Sequence, residues 1–321
     1  MRPMRLHALA PQCCGAGRQY GLTLIELMIS ITLGLLVVMA ATALLLSAKS
    51  GYIAQDDGAR MDDTGRYAVE LITRAIRQAA YVNWDRQEAP AVVRPGMSPS
   101  LEGLDAHRLK ATTPGMTSPL GAAVNGSDVL SVQFFGATDD AVVNCAGFPI
   151  ANQERSASIF YVAEDSIGEP QLYCKYQGDS NWRAEGVARG VEAFQVLYGV
   201  DTDEDGLPNK MLNAAAINAL DSATAAGEIS DEARNAKTFW KKISTVRIAV
   251  LVRGTNNSRV PADKTKTVYD LFGDEYSSMH ASDDKGTHLS ETDFPKSVRQ
   301  RPRKVYTATV QLRNQASGSG E

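Results

Sequence analysis

The longest apolar run in the sequence extends from Leu22 to Leu46 and contains one charged residue, Glu26. Its 25 residues would span about 37 Å as a helix, enough to cross a hydrocarbon core of about 30 Å. No other stretch of the sequence is comparable, so we predict a single membrane-spanning helix over residues 22–46. The composition, 44% hydrophobic and 22% charged, excludes a disordered polar chain.

The charges on the two sides of this run differ in sign. Residues 1–21 contain Arg2, Arg5 and Arg18 and no acid. Subtracting these three from 33 basic residues leaves 30 against 37 acidic residues, a net charge of −7 beyond residue 21. Because Lys and Arg are enriched on the cytoplasmic side, we expect a cytoplasmic N-terminus and a periplasmic body. The run is too long for the apolar core of an ordinary cleaved secretory signal, about 7–15 residues.

The residues around the start of the run resemble a type IV prepilin leader. Arg18-Gln-Tyr-Gly21 is followed by Leu22-Thr-Leu-Ile-Glu26-Leu. In that family a membrane peptidase cuts after the Gly, the new N-terminus is methylated, and Glu is the fifth residue of the mature chain. The resemblance implies cleavage between Gly21 and Leu22 and methylation of Leu22. Leu22 departs from the Phe that many members carry.

An acid within a membrane helix is costly and usually marks function. Glu26 occupies such a position, and cleavage after Gly21 would create a cationic amine at Leu22. An unpaired carboxylate and an unpaired amine are both unfavourable in lipid, so pairing between two subunits would offset both costs. We therefore predict that Glu26 is an assembly residue. An acid near the membrane edge that reaches toward the headgroups is the alternative.

Beyond the span, apolar residues at three- and four-residue steps predict an amphipathic continuation of the helix over 47–84. Residues 85–127 are rich in Pro and Gly, a composition that predicts a loop. We predict a flexible tail over residues 315–321. The body, 128–314, shows strand patterns. The predicted strands are Val129–Phe135, Ser158–Val162, Gln171–Tyr176, Val191–Val200, Thr245–Val252 and Tyr306–Leu312, with a mostly helical Met211–Lys237. This order predicts an α+β fold, in which the long N-terminal helix packs on one antiparallel sheet.

That arrangement is also the pilin arrangement, and three strings resemble the PilW family of minor pilins. They are Phe194–Gly206, Val246–Arg253 and Tyr306–Asn314. The resemblance implies an inner-membrane subunit that later enters a type IV pilus, starts assembly and lies near the tip. It also implies roles in twitching motility, adhesion and DNA uptake. The implied partners are the prepilin peptidase, other minor pilins, the major pilin and a tip-associated adhesin.

Four cysteines occur in the chain, and Cys13 and Cys14 would be lost with the leader. Cys145 and Cys174 remain in a body predicted to lie in an oxidising compartment, so we expect a disulfide between them. Two unpaired buried thiols are the alternative. Closing a loop of this length stabilises a protein by about 3–4 kcal/mol.

Asp201, Asp203 and Asp205 alternate before Gly206, which is the spacing of the first half of a calcium-binding EF-hand loop. Asn209 and the Leu207 carbonyl would complete the ligands. Leu212 stands where that loop carries a bidentate Glu, and a strand precedes it instead of a helix. The alternatives are a Ca²⁺ site and a solvated acidic turn.

No nucleophile elbow, phosphate-binding loop, dinucleotide motif or His-Glu-x-x-His motif occurs. We therefore expect neither an enzyme nor a small-molecule substrate, and no cofactor is required. The acidic balance, with a net charge of −4, disfavours nucleic acid as a direct ligand. The rival interpretations are a pseudopilin of a type II secretion system and a membrane-tethered, calcium-dependent adhesin or enzyme that never polymerises.

Overall fold

The computed structural model describes residues 21–83, 91–178, 180–203, 205, 207–224, 230–258 and 267–314. The predicted leader before Gly21, residues 84–90 and the predicted tail lie outside the described residues. The chain divides into two compact units within its first helix, one ending at Tyr52 and the other beginning at Ile53.

Helix α1 comprises Leu24–Arg77 and includes the predicted span except for its first two residues, together with most of the predicted continuation. In the second unit its buried residues include Met61, Ala68, Ile72 and Ile76. These positions recur at helical spacing, so one stripe of the helix faces the core. The helix ends at Arg77, before the predicted boundary at residue 84, and Ala80 adopts a left-handed φ of 57° just beyond it.

The body is built from short helices and antiparallel strands, in agreement with the predicted α+β class. The strands are β1 (Leu101–Leu104), β2 (His107–Arg108), β3 (Gly121–Ala122), β4 (Val129–Phe135), β5 (Arg155–Glu164), β6 (Pro170–Gln177), β7 (Trp182–Arg189), β8 (Val191–Val200), β9 (Lys210–Leu212), β10 (Ile243–Arg253), β11 (Val268–Asp270), β12 (His288–Ser290) and β13 (Arg303–Gln311). The remaining α-helices are α2 (Ala214–Thr224), α3 (Asp231–Lys237) and α4 (Asp274–His280), and 3₁₀ turns include Phe239–Lys242.

The prediction of one sheet needs correction, because the described strands form two main sheets. One has the order β1-β4-β5-β6-β7 and the other β13-β10-β8-β9, with two small two-stranded ribbons, β2-β3 and β11-β12. Both main sheets contain strands of alternating apolar pattern. That pattern shows that a strand has a buried face, but it carries no information about which sheet the strand joins.

The principal core lies among α1 and the inner faces of both main sheets. It contains Ile72 from α1, Phe160 from β5, Phe194 from β8 and Val250 from β10. Separate clusters cover the opposite faces, with Leu197 and Phe294 on the four-stranded sheet and Ile159 and Tyr161 on the five-stranded sheet. Helix α1 therefore packs on antiparallel sheet, as predicted.

The described part of the stretch predicted as loop, residues 91–127, contains three short strands. Leu101–Leu104 pairs with β4 along its full length, and His107–Arg108 pairs with Gly121–Ala122. Two to four residues are too few to show a period-2 pattern, so the proline and glycine content dominates the sequence signal.

Gly65 of α1 packs tightly against β13, because a β-carbon there would overlap the Tyr306 ring. We expect Gly65→Ala to lower the free energy of unfolding by about 1–3 kcal/mol through overpacking. Gly58 is the matched control, since a β-carbon there meets nothing within 4 Å. Gly58→Ala should be neutral or should stabilise by up to about 1 kcal/mol. Thermal unfolding of the full chain in lipid nanodiscs would measure both, and equal midpoints for the two variants would contradict the packing argument.

Candidate functional site

The predicted scissile bond lies immediately before the start of α1. Gly21, Leu22 and Thr23 precede the helix, which begins at Leu24. Glu26 N donates a hydrogen bond to Thr23 Oγ1 at 3.3 Å, and Leu27 N donates to Thr23 O at 3.1 Å. Thr followed three residues later by Glu is the spacing of a helix capping box. Cleavage after Gly21 would therefore leave a mature chain whose helix starts within its first residues.

Glu26 lies in the first turn of α1, where the partial positive charge of the helix N-terminus favours an acid. The neighbouring hydroxyls are satisfied within the helix: Ser30 Oγ donates to Glu26 O at 2.7 Å and Thr32 Oγ1 to Ile29 O at 2.8 Å. Within the described part of the chain, the Glu26 carboxylate itself has neither a hydrogen-bond nor an ion-pair partner. It is thus available to a cation from another molecule.

The apolar side chains on both sides of Glu26 are exposed in the isolated chain. Leu24 is 77% exposed and Leu36 is 59% exposed. An 18-residue window of α1 has a mean hydropathy of 2.5 and no buried residue. By length and composition, α1 is the one helix in the described ranges that qualifies as a membrane span. So much exposed apolar surface requires lipid or other apolar helices around it.

The structure confirms the predicted disulfide between Cys145 and Cys174. The two Cα atoms are 5.9 Å apart, within the usual range for a disulfide. Cys174 is fully buried in β6, and Cys145 lies in the connection between β4 and β5. The bond therefore fastens this connection to the five-stranded sheet.

Asp201, Asp203 and Asp205 converge at the end of β8. A ligand oxygen from each lies within 4.8 Å of the others, which fits the hard-oxygen chemistry of Ca²⁺. Asn209 is differently placed, because its Oδ1 accepts hydrogen bonds from Thr202 N and Thr202 Oγ1, both at 3.0 Å. Leu207 N donates to Asp205 Oδ1 at 2.8 Å. Gly206 lies outside the described residues, and calcium binding stays a prediction.

Asp57 is a buried acid on α1 that sequence patterns did not single out. Its side chain is fully buried and accepts hydrogen bonds from Thr255 N at 2.9 Å, Asn256 N at 3.1 Å and Ser258 Oγ at 3.0 Å. These groups belong to the segment that follows β10. Asp57 therefore joins α1 to the end of a central strand across about two hundred residues of sequence, a separation that explains why local patterns miss it.

The arginines around the start of β13 pair within the protein. Arg303 has a fully buried side chain and donates to Glu192 at 2.5 Å, and Arg253 donates to the same carboxylate at 2.6 Å. Arg301 and Arg253 also pair with Glu169. These cations are committed to internal acids.

Comparison with known proteins gives two family matches. The family described as "Type IV Pilus-assembly protein W" matches residues 159–314, and the "Prokaryotic N-terminal methylation motif" matches residues 17–47. No curated protein matches the chain. Among solved structures, the Type IV-like pilin TTHA1219 from Thermus thermophilus is similar at 14% identity and a TM-score of 0.37, covering 80% of this chain and 99% of that one.

The two matches fall where the structure places the start of α1 and the strands β5 to β13. The methylation motif covers the predicted cleavage bond and the exposed apolar half of the helix, and the second match covers most of the body. The two matches together support a type IV pilus-related pilin, whose residues 159–314 are similar to the pilus-assembly protein W family.

Proposed function

We propose that this pilin is a minor subunit that primes assembly of a type IV pilus and is placed near its tip. The observation that carries the proposal is the methylation motif, followed by an exposed apolar helix whose Glu26 carboxylate has no described partner. The match of residues 159–314 favours a pilus subunit over a type II secretion pseudopilin. Loss of surface pili with normal protein secretion in a deletion strain would support that distinction.

The proposed sequence of events begins in the inner membrane, with the N-terminus in the cytoplasm and the body in the periplasm. Prepilin peptidase hydrolyses the Gly21–Leu22 bond, and the new amine of Leu22 is methylated. The methylated amine stays cationic, so it can pair with Glu26 of a neighbouring subunit. Pairing removes the cost of two isolated charges in lipid and fixes the axial register of adjacent helices.

The proposed role is structural, without a catalytic reaction. The body would contact other minor pilins, the major pilin and a tip-associated adhesin. Its fold suits such contacts, because the disulfide and the buried pairs of Arg253 and Arg303 with Glu192 hold the surface in one arrangement. A pre-organised surface loses less conformational entropy on binding.

Mass spectrometry of the mature N-terminus tests the proposal most directly. We expect the purified protein to begin with a methylated Leu22, and we expect the full leader to remain in a strain without prepilin peptidase. Gly21→Leu should block cleavage, because a bulky side chain then occupies the scissile position. An unprocessed Met1 in protein from the wild-type strain would rule out the polymerising pilin.

A further inference from the structure

The outer face of the five-stranded sheet bears a cleft that the proposed assembly mechanism does not use. The cleft has a volume of about 520 Å³, within the range of small-molecule binding sites. Its floor includes Glu102 of β1, Ser131 of β4 and Trp182 at the start of β7. A second cavity of about 410 Å³ adjoins it and shares Glu102, Asn218 and Trp240.

The walls of the cleft are held by internal hydrogen bonds. Lys175 is fully buried, and its Nζ donates to Lys110 O at 2.9 Å and to Gly115 O at 2.6 Å, which fixes the segment on one side. On the other side, Trp240 Nε1 donates to Asn218 Oδ1 at 2.9 Å. The cleft is therefore preformed, which reduces the entropic cost of binding a ligand.

Several polar side chains on the cleft have unused hydrogen-bonding capacity. Within the described ranges, no hydrogen bond involves the side chains of Glu102, Ser131 or Gln177. Burial raises the pKa of Glu102 to about 7, although the nearby Arg155 guanidinium opposes the shift. A ligand that supplies hydroxyl groups would give this half-buried carboxyl group the hydrogen bonds that it lacks within the protein.

The charges of the described residues that line the main cleft balance, because Glu102 is the one acid and Arg155 the one base among them. Arg155 already donates to Ser98 Oγ at 2.7 Å. The cleft therefore has no net charge of opposite sign that would attract a strongly charged ligand. Charge balance, free amide and hydroxyl groups and a half-buried indole favour a neutral ligand with many hydroxyls and an apolar ring face.

The dimensions favour an oligomer over a single ring. Glu102 is on the first strand of the sheet and Trp182 on the fifth. Four interstrand spacings of about 4.8 Å separate these strands, so the floor is roughly 19 Å across. A short oligosaccharide has that length, whereas one sugar ring does not.

We propose that this cleft binds a neutral oligosaccharide, with one sugar ring against the Trp182 indole and further hydroxyls hydrogen-bonded to Glu102, Ser131 and Gln177. The site is independent of filament incorporation, so its failure would leave the pilin proposal intact. Equally, a subunit that never entered a pilus would still bind the sugar.

Calorimetry on the full chain in lipid nanodiscs tests this site without competition from glycoside detergents. The probes are maltotetraose, cellotetraose, mannotetraose and the tetramer of N-acetylglucosamine, with a heparin fragment and a polylysine peptide as charged comparisons. We expect at least one neutral tetrasaccharide to bind with a Kd below about 1 mM. Trp182→Ala and Glu102→Gln should each weaken it by roughly tenfold.

Matched controls separate loss of the site from loss of the fold. Phe148→Ala removes an exposed aromatic that contacts Tyr176 outside the cleft, and Glu164→Gln neutralises an exposed acid at the end of β5. Both should bind like the wild type, and Trp182→Phe should retain part of the affinity by keeping an aromatic ring. The proposal is overturned if no neutral tetrasaccharide binds at about 10 mM, if only a charged probe binds, or if both cleft variants bind normally.

Discussion

Pili from cells that carry Glu26→Ala should contain at least about tenfold less of this subunit than wild-type pili, while its amount in the inner membrane stays unchanged. The expected loss follows from the lone carboxylate of the apolar run. Without it, the N-terminal amine of a neighbouring subunit has no counter-charge in lipid. Quantitative immunoblots of sheared pili and of membrane fractions would give the ratio.

Two further variants distinguish charge pairing from helix capping, since Glu26 also has capping-box spacing from Thr23. Glu26→Gln keeps a side chain that the capping box accepts but removes the charge, so its amount in pili should fall as it does for Glu26→Ala. Thr23→Val removes the cap and keeps the charge, so its amount in pili should match the wild type. Glu70→Gln changes an exposed acid later on the same helix and is the matched control. Normal incorporation of Glu26→Ala would refute the assembly role.

Replacing Asp57 with alanine should lower the stability of the body. The change leaves the donors of Thr255, Asn256 and Ser258 without the carboxylate that accepts their hydrogen bonds. Losing hydrogen bonds to a charged group costs about 1.5–3 kcal/mol. For a body of this size, that corresponds to a fall in Tm of roughly 5–10 °C. Intrinsic tryptophan fluorescence of the full chain in nanodiscs reports on the body, because every Trp lies beyond Tyr52.

Asp56 provides the control for this experiment. It precedes Asp57 on the same helix but forms an exposed pair with Arg60 at 2.9 Å. Exposed pairs contribute about 0–1 kcal/mol, so Asp56→Ala should change Tm by no more than a few degrees. The Tm of Asp57→Asn should lie between those of the two alanine variants, since the carboxamide oxygen still accepts hydrogen bonds. A Tm for Asp57→Ala equal to that of Asp56→Ala would show that the contact with the β10 segment is dispensable.

Long elements with a clear period were predictable from the sequence. The predicted Val129–Phe135 and Val191–Val200 coincide with β4 and β8, and α1 follows from its apolar run and amphipathic continuation. β7 was missed because Trp182–Arg189 is largely exposed at a sheet edge and carries little apolar alternation. An edge strand buries few side chains, so its composition resembles that of a loop.

Features that depend on distant residues were not predictable in this way. The order of the strands, the partners of Asp57 and the approach of Gly65 to Tyr306 all join residues far apart in sequence. The same holds for the cleft, whose residues come from several strands, a loop and α2. The candidate assembly site was accessible because all its elements, Gly21, Leu22 and Glu26, lie within six consecutive positions.

The pairs of Arg253 and Arg303 with Glu192 lie where β8, β10 and β13 meet. The pairing of β8 with β10 is irregular between Leu251 and Val252, next to the position where Glu192 meets Arg253 and Arg303. A shift of one residue in the register of either neighbouring strand would turn a guanidinium toward the apolar interior. The buried Glu192 carboxylate would then lack that cationic partner. We therefore expect the charges of Glu192, Arg253 and Arg303 to destabilise misaligned sheets that hydrophobic contacts alone would tolerate.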